Sequence, residues 1–374
     1  MSASPAWLEI DLDAIRQNTA AVGALVGPRT RVLAIVKADG YGHGAPAVAA
    51  AALRGGARAL GVANLAEAVE LHEAALRAPI LILNAGLPET AEEVVRRGLV
   101  QTATTPESLT LLSAAAVAAE REARVHLKLD TGMGRLGLPP REAVGLLRAA
   151  LAQPGLRVAG IFSHLATAEE ADRSFARAQF AAFDAAAAAI REAGLPLPPR
   201  HLANSAGLLN FPEMRLDLVR PGLLIYGLSP GGALETGPDL RPALTWKTRV
   251  EFVKRVPAGT TVSYGRTWTA RREAIVATLP VGYADGYPRA LSNRGQGLVG
   301  GRRCPVVGAV CMDHIMLEVG EEVGVGDEVV LIGRQGVEEL TANDLAEAAG
   351  TVVHEIVARL GRRLPRLYRG EASA

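Results

Sequence analysis

The sequence predicts an α/β chain in which a closed (β/α)8 TIM-type barrel is followed by a mainly β C-terminal domain. Three observations lead there. Through about residue 225, short apolar or β-branched runs alternate with Ala/Leu/Glu-rich segments of helical spacing. Continuous apolar strands separated by helices mark a parallel sheet buried on both faces. About eight such units favour closure into a barrel over an open sheet. After about residue 235 the texture changes to short strands at close spacing, broken by turn formers.

In chain order the barrel strands are expected at 31–38, 59–63, 79–85, 125–131, 158–165, 200–205 and 216–222. Segments 65–76, 106–119, 141–151 and 173–194 carry helical spacing, and the second starts with Pro106 directly after the capping residue Thr105. The Gly/Pro-rich connector GGALETGPDLRPAL divides the chain into 1–235 for the barrel and 236–374 for the β domain. Beyond it, TWKTRVEFVKRV, EAIVATLPVGYA, CPVVGAV, HIMLEV and DEVVLIG read as strands, and ANDLAEAAG as a helix.

Composition narrows the function. Forty basic residues against 39 acidic ones leave a formal charge of +1, so no electrostatic footprint points to nucleic acid or an acidic membrane surface. Cys304 and Cys311 are too few for a disulfide framework or an unaided zinc site. The N-terminal residues lack the basic and apolar regions of a signal peptide, and the Ala-rich stretch at 180–194 is interrupted by charge. The expected location is the cytoplasm.

Active sites of parallel barrels form where strands end, so polar residues at those ends stand out. Lys37 closes RVLAIVK, just before a Gly-rich turn. There it either snorkels to the rim or serves as a Schiff-base lysine of lowered pKa. Lys128 lies between Leu127 and Leu129, and pairing with Asp130 is poor because alternate strand residues face opposite sides. Arg135 follows in a glycine-rich loop. His164, Asn204-Ser205 and Arg220-Pro221-Gly222 end later strand runs, where hydroxyls and glycine amides suit a phosphate. In the β domain, Tyr264 and Tyr283 stand beside glycines, with little adjacent bulk to pack on, whereas Tyr287 reads as ordinary packing.

The string AIVKADGYGHG at 34–44 resembles the pyridoxal-phosphate lysine signature of the alanine racemase family. The resemblance continues in order through HLKLDTGMGRLG, FSHLATAEE, NSAG, VRPGLLIYG, VSYGRTW, LPVGYADGYPR and GAVCMD, nearly the whole chain. It implies a head-to-tail homodimer whose active sites are each completed by the partner's β domain. Lys37 would hold pyridoxal 5'-phosphate covalently, with Tyr41, His164, Asn204, Ser205, Arg220, Gly222 and Leu223 around its ring and phosphate. Arg135 would touch the cofactor's phenolic oxygen and the substrate carboxylate, which the Met312 amide would also hold. Lys128 matches a lysine often carbamylated in the family. Lys37 and Tyr264 would be the two bases, and Tyr283 with Tyr264 would leave room for a methyl group but crowd larger side chains. The implied role is interconversion of L- and D-alanine to supply peptidoglycan synthesis. One departure is Arg362, which stands where some members carry a phosphate-contacting Tyr; its role stays open. The rivals are a broad-specificity racemase, a related amino-acid decarboxylase, a non-catalytic carrier of the cofactor and a structural barrel.

Overall fold

The computed structural model of the protein describes residues 4–235 and 237–370. After a first strand, β1 (Ala6–Asp11), eight parallel strands close into a barrel. They are β2 (Arg31–Ile35), β3 (Ala59–Val62), β4 (Ile80–Ala85), β5 (Val100–Ala103), β6 (Ala123–Lys128), β7 (Leu156–Phe162), β8 (Arg200–His201) and β9 (Leu218–Val219), and β9 pairs back onto β2. The fold class is the expected one.

Helices cover the barrel as their spacing requires. In the helix Ser174–Glu192, Ala176, Gln179, Phe183, Ala186, Ala187 and Ile190 are buried, a stripe of helical period. Thr105 caps the helix Pro106–Ala118 by accepting from the Ser108 amide.

Three features differ from the sequence reading. Strand β5 was not among the expected runs, because Gln101 and Thr102 interrupt its apolar pattern. Both are nonetheless buried: the Thr102 hydroxyl donates to the Ile82 carbonyl and the Gln101 amide to that of Asn84. Strands β8 and β9 are two residues each, shorter than the runs at 200–205 and 216–222. The remainder of the first run turns into a short helix, Ser205–Asn210, capped by the Asn204 side chain on the Gly207 amide.

The third difference is the division of the chain. The segment ending at Ala14, the loop Tyr41–Gly44 and the chain from Arg241 onward form one compact unit; Ile15–Gly40 and Ala45–Leu240 form the other. This departs from a single cut between 235 and 236. Strand β1 pairs antiparallel with β10 (Leu244–Arg249), Leu8 opposite Trp246, and parallel with Arg366–Arg369. Pairing between segments so far apart in the chain leaves no local signature. The C-terminal unit is mainly β, as expected, with β1 and β10 in a seven-stranded sheet and a three-stranded sheet beside a short hairpin. Val256, Val262, Val276, Val307 and Met316 form a core cluster in it, with Trp268 and Cys311 packed against them. Its expected helix is Ala342–Ala349, capped by Thr341. Among the described residues, no helix is long and apolar enough to cross a membrane, and no group of side chains could hold a metal ion.

Candidate active site

The barrel unit gathers most of the singled-out residues at or just beyond the C-terminal ends of its strands. Lys37 follows β2 and enters a turn in which Ala38, Asp39, Gly40 and Tyr41 all have φ between 51° and 59°. Three left-handed residues with side chains, two before a glycine and one after it, are costly, so the turn needs external support. Glu67 provides it. Its carboxylate accepts from the Ala38 amide at 2.9 Å and from the Ala63 amide at 2.7 Å, while Asp39 accepts from Ala45.

Burial lowers the Lys37 pKa first, Arg135 lowers it further and Glu67 opposes both. The result is an amine more often deprotonated than an exposed lysine. Arg135 lies in the loop after β6, and its charge also reaches Lys128, His164 and Arg220. Lys128 is buried, its Nζ has no hydrogen-bond partner, and it stands 4.7 Å from the centre of the Phe162 ring. Burial and the nearby arginines hold its pKa well below the usual lysine range. Asp130 is engaged elsewhere, accepting from the Gly132 and Gly134 amides.

Arg220, just past β9, is buried at the barrel centre. Its guanidinium donates to Nδ1 of His201 at 2.8 Å, to Nδ1 of His164 at 3.0 Å and to the Ser163 and Leu202 carbonyls at 2.8 Å. Burial and then Arg135 lower its pKa to about 9, which leaves it charged at neutral pH. The His164 loop is tied down in turn by buried Gln179, which accepts from the Ala166 amide and donates to the His164 carbonyl. Beside Arg220, the Ser205 hydroxyl accepts from the Gly222 amide at 2.9 Å. Ser205 and Leu223 each begin a helical segment, so their amides have no acceptor within it.

The barrel therefore brings together Lys37, Lys128, Arg135, His164, Asn204, Ser205, Arg220, Gly222 and Leu223. Tyr41, Tyr264, Tyr283 and Met312 belong to the C-terminal unit. Tyr41 is buried with its ring edge-on to His354, and burial pushes its phenol up to about 12. Tyr264 is 74% exposed, on a loop whose Ser263, Gly265 and Arg266 have positive φ. Tyr283 and Met312 are also exposed, and their loops are stitched together by the amides of Tyr283 and Ala284 donating to the carbonyls of Cys311 and Met312. Arg363 clamps the same two loops by pairing with Asp285 at 3.0 Å and Asp313 at 2.9 Å. The arginine that joins these two loops is thus Arg363, next to Arg362. Tyr287 is buried against Trp246, as its packing role predicted.

Sequence reasoning passed over Glu67, His201 and Arg363. A signal existed for the first: Asn64-Leu-Ala-Glu67 is a helix-start pattern, and Asn64 does cap the Glu67 amide. Here, though, the carboxylate also reaches the lysine turn.

With this geometry in view, the relatives are informative. Residues 10–230 match the alanine racemase N-terminal domain, and 243–368 the alanine racemase C-terminal domain. The chain belongs to the alanine racemase family. It is 49% identical to the alanine racemase of Symbiobacterium thermophilum over 371 residues, 99% of this chain and 98% of that one. The alanine racemase structure from the D-cycloserine-producing Streptomyces lavendulae superimposes with a TM-score of 0.93 at 40% identity, covering 99% and 98% of the two chains. That from Bartonella henselae, which carries covalently bound pyridoxal phosphate, gives a TM-score of 0.87 at 31% identity over 98% and 100%.

Proposed function

We propose that the protein interconverts L- and D-alanine by a two-base mechanism with pyridoxal 5'-phosphate, and that it supplies D-alanine for peptidoglycan in the cytoplasm. The observation that carries this reading is Lys37, a half-buried amine of lowered pKa at the mouth of a family barrel, surrounded by Arg135 and Arg220.

The donor set fits the cofactor. Ser205 and Leu223 offer unengaged amides, and Ser205 a hydroxyl, to a phosphate; Gly222 lies beside them. Arg220 commits its terminal nitrogens to the protein, and Nε is left for a ring acceptor. Asn204 and His164 hold the phosphate loop and Arg220 in place. Tyr41 would complete the cofactor's surroundings. When bound, the cofactor supplies the electron sink that makes the substrate Cα–H acidic enough to break.

The chain's residues do the rest. Lys37 holds or takes the proton at Cα on the D-alanine face. Tyr264 of the partner subunit serves the L-alanine face, and its exposure on its own chain suits a side chain that works in a second copy. Arg135 neutralises the substrate carboxylate, aided by the Met312 amide of the partner subunit. Tyr283 of the partner subunit limits the side chain to a methyl group. Lys128, whose surroundings favour the neutral amine, takes up CO₂ as a carbamate with release of a proton, and the resulting anion answers the charge of Arg135.

The test is an assay of L-alanine, L-serine and L-lysine for loss of optical rotation and release of CO₂, with absorption spectra before and after borohydride. Fastest racemisation of alanine, no CO₂ and a borohydride-sensitive chromophore are expected. CO₂ release would indicate the decarboxylase, and a colourless, inert protein a structural barrel.

A further inference from the structure

The barrel end opposite Lys37 holds a cavity of about 280 Å³, to which every barrel strand contributes at or just before its N-terminal end. Barrel interiors are ordinarily filled by side-chain layers. Gly160 makes room for the His126 ring that lines this cavity: an added Cβ there would come within 2.6 Å of the imidazole.

The lining carries four arginines, Arg31, Arg58, Arg124 and Arg157, and no carboxylate. Arg157 has a solvent-exposed partner in Glu122 at 3.6 Å, and Arg124 donates to the Gly98 carbonyl. Among the described residues, Arg31 and Arg58 make no ion pair. Three of the four, Arg31, Arg58 and Arg157, are solvent-exposed, so water screens their mutual repulsion, and an anion between them would relieve what remains.

A second observation, from the barrel core, points the same way. Arg220 can only donate, so Nδ1 of His201 must accept. Burial keeps His201 neutral, so its proton is on Nε2, which faces Nδ1 of His126 at 2.8 Å. His126 is neutral for the same reason, and its Nδ1 accepts. Its proton is therefore on Nε2, the donor left for the cavity that the ring lines. His126 is only 7% exposed, and among the described residues no protein acceptor takes its Nε2–H. Arginine side chains and an N–H floor, without an acceptor among them, form a receptor for an anion.

We propose that this cavity binds a multiply charged oxyanion of the phosphate class, free or as the phosphate group of a small metabolite, between Arg31, Arg58 and the Nε2–H of His126. Two imidazoles would then connect that anion to Arg220 in the catalytic end of the barrel.

Calorimetric titration of the holoenzyme, freed of excess cofactor, with inorganic phosphate at constant ionic strength tests this. Saturable binding at one site per chain is expected, with acetate much weaker. The Arg31→Gln/Arg58→Gln double variant should bind at least about tenfold more weakly, as loss of two charge-assisted contacts implies. Arg141→Gln, an exposed arginine outside the cavity, should bind as wild type. Should the double variant misfold, each single variant must still weaken binding. A glucose 6-phosphate titration separates the sources: tighter binding than inorganic phosphate identifies a metabolite's group, weaker binding the free ion. No saturable binding, undiminished affinity in the arginine variants, or acetate as tight as phosphate would overturn the proposal.

Discussion

Arg220 is always the donor to its neighbours, and that fixes how His164 and His201 hold their protons: both present Nδ1 lone pairs to it. In the proposed mechanism a guanidinium in this position would resist giving a proton to a ring nitrogen, which would make the cofactor a weaker electron sink and limit side reactions. Arg220→Glu should therefore raise the yield of transamination products per racemisation event, measured as pyruvate formed from alanine; an unchanged ratio would refute this role. Tyr264 is the other residue whose role is sharply testable. Tyr264→Phe would remove the proposed second proton carrier, and racemisation in both directions should then fall by roughly 10²–10⁴-fold, the usual weight of a general acid or base. Exchange of the D-alanine α-hydrogen with solvent, which needs only Lys37, should persist. Wild-type rates with both enantiomers would remove Tyr264 from the mechanism.

The turn after β2 shows how elements set the Lys37 amine. Its residues at Ala38, Asp39 and Tyr41 have φ of 51–53°, a conformation that strains each of them. The opposing force comes from a separate element, the helix Leu65–Glu73, through the two amides that Glu67 holds. Glu67→Ala leaves those part-buried amides unpaired and should cost about 1–3 kcal/mol of stability. The same change removes the carboxylate that raises the Lys37 pKa, so the apparent pKa of lysine modification should fall. Urea unfolding and the pH dependence of amine labelling in the cofactor-free protein measure the two effects; a variant indistinguishable from wild type in both would sink this account. Sequence spacing revealed Lys37 at a strand end. It could not reveal the support, since Glu67 is 30 positions away and its own pattern explains it as a helix start.

Across the whole molecule, the buried histidines make stability depend on pH. Burial and Arg220 lower His126 to about 4 from 6.5, and His164 and His201 shift the same way. Below pH 6.5 the unfolded chain takes up protons that the folded protein refuses, so stability is full above that pH and is lost as it falls toward 4. Between pH 7 and pH 5, His126 alone accounts for about 2 kcal/mol. Unfolding free energies that do not decline over that interval would contradict the neutral histidine chain. The proposed dimer adds a concentration dependence: if Tyr264 acts in a second copy, specific activity should drop on dilution in step with dissociation measured by sedimentation. Activity retained by a proven monomer would exclude the shared site.

The chain's periodicity by itself favoured a closed barrel ahead of a β domain and placed seven of its strands, because burial on both faces writes itself into local runs of apolar residues. Lys37, His164, Ser205 and Arg220 were legible too, as polar groups that interrupt those runs where strands end, and Arg135 in the glycine-rich loop beyond one of them. Only the tertiary structure decided that β1 joins the C-terminal sheet, that Arg363 links two loops, and that His201 and His126 carry hydrogen bonds from Arg220 through the barrel. Those are pairings between residues distant in the chain, and a one-dimensional pattern carries no record of which distant partners meet.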